Sequence, residues 1–181
     1  MRRWWRRDRG AGAERRLRPR PGAPHIRLLD ARSAGLGQTA LRWLARSQVV
    51  AAGTTQVSRS YRYPYAVIAW HVTPVGIDIE RIESFDATLA NSICTPSETI
   101  DWSTLEDPDD ELASRWCSKE ALAKALGDAR RYDPRRLESP ILWPQGRAGA
   151  WRAQRLPAVT GHVVWVCWRS ESAYGESADG V

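Results

Sequence analysis

Lysine is nearly missing from this chain: 181 residues hold only Lys119 and Lys124, against a large excess of arginine. No apolar run approaches the ~20 residues of a membrane-spanning helix, and no apolar signal-peptide core follows the basic start. A membrane partner is therefore not expected, and a cytoplasmic location is. The three cysteines, Cys94, Cys117 and Cys167, are widely separated and form no CxxC pair. That spacing argues against a thiolate zinc site and fits free thiols in a reducing compartment. No internal repeat suggests a solenoid. What is present is an ordinary apolar content, enough in a chain of this length for one real core. The formal net charge of +6 suits an acidic partner, whether nucleic acid, anionic cofactor or acidic protein surface.

The charge is unevenly placed. Arg2, Arg3, Arg6, Arg7, Arg9, Arg15, Arg16, Arg18, Arg20 and Arg27 crowd residues 1–27 among Gly, Ala and Pro. Such a stretch has little apolar surface to bury and is expected to be disordered. With Trp4 and Trp5 available for stacking it has the composition of a nucleic-acid-binding arm. Composition alone supports that reading, so a solvated tail is preferred and nucleic acid is not the expected partner. Without the tail the chain is close to neutral.

Order is expected from about Ile26. Leu36, Ala40, Trp43, Leu44 and Ala45 recur at helical spacing and predict an amphipathic helix up to Val50, broken by Gly53. Val57–Tyr61 reads as a polar link into a buried strand, Tyr65–Trp70. Val75-Gly76-Ile77-Asp78-Ile79-Glu80 alternates as a second strand, with Val75, Ile77 and Ile79 on one face and Gly76, Asp78 and Glu80 on the other. A short helix is expected over Phe85–Ile93. Another is expected to open at Thr95-Pro96-Ser97-Glu98, where Thr95 and Glu98 make a capping box. The acidic stretch Glu106–Glu111 leads into a further helix that Gly127 stops. Beyond it, strands are predicted at Ile141–Trp143, Ala150–Gln154 and His162–Trp168, followed by a frayed end.

Two places carry chemistry. Asp78 and Glu80, two residues apart on a strand, project from the same side, and Gly76 keeps that side open. Oxygen ligands so placed suit Mg²⁺, which takes one or two carboxylates with water and substrate phosphate; a solvent-facing strand would look the same. In Trp116-Cys-Ser-Lys-Glu-Ala-Leu-Ala-Lys124 both lysines fall within nine residues. A helical wheel puts Leu112, Trp116, Ala123 and Leu126 in one apolar arc, with Glu120 and Lys124 along its edge. Alone, that i, i+4 pair is worth only a few tenths of a kcal/mol on a solvated helix.

Together these stretches resemble the paired signature of the 4′-phosphopantetheinyl transferases, a G-[IV]-D-[IV]-E strand followed some forty residues later by a W-x-x-K-E-A-x-x-K helix. Both match without a gap, and Glu98 falls where many members carry a further glutamate. The resemblance implies an α+β fold of antiparallel sheet packed with helices, one full lobe beside a truncated N-terminal lobe. On that basis residues 1–27 are a disordered tail, 28–74 a partial N-terminal lobe, 75–169 the transferase domain and 170–181 a flexible tail. It implies transfer of 4′-phosphopantetheine from coenzyme A to a serine of an acyl or peptidyl carrier protein, with Mg²⁺, as in fatty-acid, polyketide or nonribosomal peptide synthesis. Asp78, Glu80 and Glu120 are then the candidate metal ligands, and Glu120 or Glu80 the base that takes the serine proton. Lys124 and Lys119 are the candidate partners of a coenzyme A phosphate, and Arg130, Arg131, Arg135 and Arg136 a surface for an acidic carrier.

The chain departs from the pattern in two ways. Larger members carry a Ser-His pair before the Asp strand, thought to touch coenzyme A. Here Ser58 is followed by Arg59, which can bind a phosphate bidentately. The ordered stretch before Gly76 is also about half the usual first lobe, so that self-association would be one way to complete the cleft. A homologue that binds coenzyme A or carrier without transfer is the alternative these departures suggest.

Overall fold

In the computed structural model, residues 14–17, 22–48, 56–98, 102–157 and 159–170 are described. The elements run β1 (Glu14–Leu17), β2 (His25–Asp30), α1 (Gln38–Ser47), β3 (Gln56–Arg62), β4 (Tyr65–His71), β5 (Val75–Arg81), α2 (Ala87–Ile93), α3 (Pro108–Leu126), β6 (Arg147–Ala148), β7 (Trp151–Leu156) and β8 (His162–Arg169). They form two antiparallel four-stranded sheets, ordered β1-β2-β4-β3 and β5-β8-β7-β6. The fold is α+β.

Side-chain alternation stacks the layers. Tyr65, Val67 and Ala69 of β4 meet Val75, Ile77 and Ile79 of β5 and Val164 and Val166 of β8 in a core between the sheets. The opposite face of β4, Ala66 and Ile68, packs under Leu41 and Ala45 of α1. The opposite face of β8, Val163, Trp165 and Cys167, packs under Cys117, Ala121 and Leu122 of α3. A strand buried on both faces needs apolar residues at every position, which is why β4 reads Tyr-Ala-Val-Ile-Ala without alternation.

Helix α3 starts and stops as its sequence predicts. The Asp107 carboxylate accepts the Asp110 N–H at 3.0 Å, Pro108 opens the first turn, and Asp109, Asp110 and Glu111 complement the positive end of the helix. Gly127 ends it at φ +80°, where a glycine avoids the Cβ clash. The predicted single apolar arc is not found: Leu126 is exposed, while Ser114, Arg115, Ser118 and Lys119 are buried. The reason is that α3 lies between the second sheet on one side and α2 with the turn at Pro134 on the other, so it is covered nearly all round.

Other expectations are corrected. Val57–Tyr61 is not a link but the body of β3; its buried side chains, Ser58 and Ser60, are polar because they bond to β5 across the joint between the sheets. Thr95–Glu98 opens only a 3-10 turn, Pro96–Glu98, although the predicted bond from the Thr95 N–H to Glu98 Oε2 is made at 2.8 Å. Ile141 sits in a 3-10 turn, Pro140–Leu142, since the prolines of that stretch cannot donate to a ladder. Within the arginine-rich stretch expected to be disordered, Glu14–Leu17 pairs with β2 as a strand, and β2 itself begins at His25. Trp4 and Trp5, the remainder of that stretch up to residue 21, and 171–181 of the expected C-terminal tail lie outside the described residues. Among the described residues no helix is long and apolar enough to cross a membrane, and all three cysteines are free thiols.

Candidate active site

The site is built where α3 crosses β5, and Gly76 sets the distance. A Cβ there would lie 1.9 Å from the Ala121 carbonyl oxygen and 2.6 Å from the Ala125 nitrogen, so only glycine lets the helix backbone come this close. Ala121 and Ala125 are the residues that follow Glu120 and Lys124. The same contact therefore carries both charged side chains to the edge of the strand.

Asp78 is buried at the centre of the crossing. Its Oδ1 accepts from Lys124 Nζ at 2.6 Å and from the Ser60 hydroxyl at 2.7 Å. Its Oδ2 is buried and has no hydrogen-bond partner. Lys124 Nζ also reaches the Ile77 carbonyl at 3.4 Å. Glu80, two residues along, is bound by the Arg62 guanidinium of β3 and, at 3.3 Å, by the Trp116 indole N–H. Burial, with the neighbouring charge of Asp78, holds the Glu80 carboxyl above the ordinary glutamate range despite these donors. Glu120 accepts the Tyr132 hydroxyl at 2.6 Å on Oε1. Burial and then the Glu120 carboxylate push the Tyr132 phenol well above its ordinary value, so it stays a donor.

Two clefts open on this cluster. One, of about 500 Å³, is lined by Ser58 and Arg59 of β3, Val75, and Lys124, Leu126 and Gly127 at the end of α3. Arg59 is steadied there by its Nε, which donates to the Ala45 carbonyl of α1 at 3.0 Å. The Ser58 hydroxyl accepts the Ile77 N–H at 3.0 Å and so ties β3 to β5 at the cleft wall. The other cleft, of about 370 Å³, is mainly apolar and lies beside Glu80, with Trp116, Phe85, Leu89 and Leu112 on its walls.

Not every expected residue joins the cluster. Lys119 is fully buried, its Nζ committed to Glu98 at 2.5 Å, the Ile93 carbonyl at 2.7 Å and the Pro134 carbonyl at 2.8 Å. It is not available to a coenzyme A phosphate, because its three donors already have three acceptors. Glu98 is its counter-ion. Burial alone would raise the Glu98 carboxyl, but bonds from Lys119 and from the Ser139 and Thr95 N–H groups outweigh it and hold Glu98 below the ordinary range. The pair joins α3, α2 and the turn at Pro134 as a structural centre.

Asp78, Glu80 and Glu120 likewise do not close into a cage. Among the described residues no group of three or more His, Cys, Asp or Glu stands together to hold a metal, since each carboxylate has found its own donor. A cage is not what Mg²⁺ requires. One or two carboxylates with water and phosphate suffice, and the buried, unpartnered Oδ2 of Asp78 is the kind of oxygen a cation satisfies. The residues present fit the ion. Ser60 and Tyr132, each fixing one carboxylate, went unread in the sequence. Ser60 would have followed from reading β3 as a strand, since period 2 puts it beside Ser58; nothing in the spacing marks Tyr132, which lies past the helix stop.

A family model for the 4′-phosphopantetheinyl transferase superfamily matches residues 74–167, from Pro74 just before β5 to Cys167 within β8. No curated protein matches the chain.

Proposed function

We propose, for a chain that belongs to the 4′-phosphopantetheinyl transferase superfamily, that it transfers 4′-phosphopantetheine from coenzyme A to a serine hydroxyl of an acyl or peptidyl carrier protein. The observation that carries this reading is the 2.6 Å contact of Lys124 with Asp78, which joins the two motifs in one site while leaving the second Asp78 oxygen free. The serine oxygen attacks the phosphorus that bears pantetheine, a new P–O bond forms, and the pyrophosphate bridge breaks to release adenosine 3′,5′-bisphosphate. Asp78 and Glu120 would hold Mg²⁺, which supplies charge neutralisation at the phosphoryl oxygens when bound. Glu120 or Glu80 takes the serine proton, directly or through one water.

Lys124 and Arg59 supply the cations that face the diphosphate of coenzyme A from the larger cleft. Lys124 meets a phosphate as a point charge and Arg59 as a fork. Arg130, Arg131, Arg135 and Arg136 are all exposed just beyond α3, and an acidic carrier docking there brings its serine towards Glu120. The test is chromatography of the nucleotide. Adenosine 3′,5′-bisphosphate should appear only when apo-carrier, coenzyme A and Mg²⁺ are all present. Coenzyme A binding without release of this product would instead mark a non-catalytic homologue.

A further inference from the structure

We propose that Tyr132 is a positioning residue for Glu120, holding that carboxylate in one orientation toward cation and serine. The proposal rests on the role given to Glu120 above. Glu120 stands half-buried at the edge of α3 on a side chain with three rotatable bonds, and a carboxylate so placed samples several orientations unless a donor selects one. The Tyr132 hydroxyl does so at 2.6 Å, engaging Oε1.

The donor is itself fixed. Past the left-handed Gly127, the Asp128 N–H returns to the Ala123 carbonyl at 3.0 Å and the Tyr132 N–H to the Asp128 carbonyl at 3.1 Å. Two residues on, the Pro134 carbonyl accepts from buried Lys119 at 2.8 Å. Tyr132 therefore sits in a turn whose backbone is tied to α3 on both sides, which fixes where its ring starts from. This gives Lys119 a part in the site although it touches no substrate: it anchors the turn that carries the tyrosine. Donors of this kind to carboxylates that hold a metal alter metal affinity or activity by about 10–100-fold when removed. Phe replaces Tyr without changing the ring, so the hydroxyl can be tested alone.

The experiment compares the full chain with Tyr132→Phe, Glu120→Gln and the double variant. Mn²⁺ binding in the presence of coenzyme A is followed by electron paramagnetic resonance, and transfer rates are measured with coenzyme A varied. Tyr132→Phe should weaken Mn²⁺ binding and lower kcat by about 10–100-fold, with KM for coenzyme A unchanged. In the Glu120→Gln background it should cost no further Mn²⁺ affinity, because the two groups act as one unit. Rates are referred to the folded fraction from circular dichroism, which separates this loss from unfolding. Unchanged Mn²⁺ affinity in Tyr132→Phe, or a loss of Mn²⁺ affinity that adds in full to that of Glu120→Gln, overturns the proposal. A wild type that binds Mn²⁺ but transfers nothing sinks the functional reading and leaves the Mn²⁺ comparison to decide this one.

Discussion

Gly76→Ala tests whether the site is made by the close approach of α3 to β5. The added Cβ would meet the Ala121 carbonyl oxygen at 1.9 Å and the Ala125 nitrogen at 2.6 Å, where ordinary contact begins at 3.4 Å. Both obstacles are backbone, so no change of rotamer relieves them and the helix must retreat by more than an ångström. Overpacking of this kind costs about 1–3 kcal/mol, which for a chain of this size lowers Tm by about 2–12 °C. The retreat carries Glu120 and Lys124 with it, since they flank the obstructed atoms, and Lys124 loses its 2.6 Å contact with Asp78. A misplacement of about 1 Å costs about 100-fold in rate. Thermal melts and initial transfer rates of the variant would measure both effects. Gly37→Ala, whose Cβ meets nothing within 4 Å, serves as the control for the rate; at the N-cap of α1 it lowers Tm a little without displacing α3. A Gly76→Ala protein with wild-type Tm and rate would refute the account of how the helix is placed.

The buried pair gives two further predictions. Lys119→Met leaves the Glu98 carboxylate enclosed without its cation and should cost about 3–5 kcal/mol, seen in denaturant melts; KM for coenzyme A in the folded protein should not move, since Lys119 reaches no cleft. Glu98 is ionised more readily folded than unfolded, so its contribution to stability is complete above the ordinary glutamate range and is lost as pH falls through its lowered folded value. Glu98→Gln should therefore flatten the fall of Tm between neutral pH and about pH 3. Charge reversal at Arg135 and Arg136 should raise KM for the carrier and leave coenzyme A binding alone; if neither constant changes, that surface does not receive the carrier.

Much of the site could be read from residues alone because its logic is local. A period-2 strand fixes that Asp78 and Glu80 share a side, and helical spacing fixes that Glu120 and Lys124 share an edge. The role of Gly76 was legible only as open space, and its true partner, the backbone of α3, depends on packing that no local pattern encodes. Lys119 misled for the same reason. A lysine shortly before Lys124 on the same helix reads as a second partner for the phosphate, and only a helix covered on both sides forces it inward onto Glu98, Ile93 and Pro134. β3 is hard to see in the sequence because its polarity reads as a link, whereas its serines are inward residues satisfied by β5. Tyr132 belongs to a turn whose geometry is set by distant contacts, and so left no trace in spacing.

The most direct measurement is the intact mass of an apo-carrier protein incubated with this chain, coenzyme A and Mg²⁺, beside Glu120→Gln and Asp78→Asn. The wild type should add one phosphopantetheine to one serine, and both variants, folded by circular dichroism, should add none. No gain with any of several acyl and peptidyl carriers, or equal gain with the Glu120→Gln protein, would contradict the account.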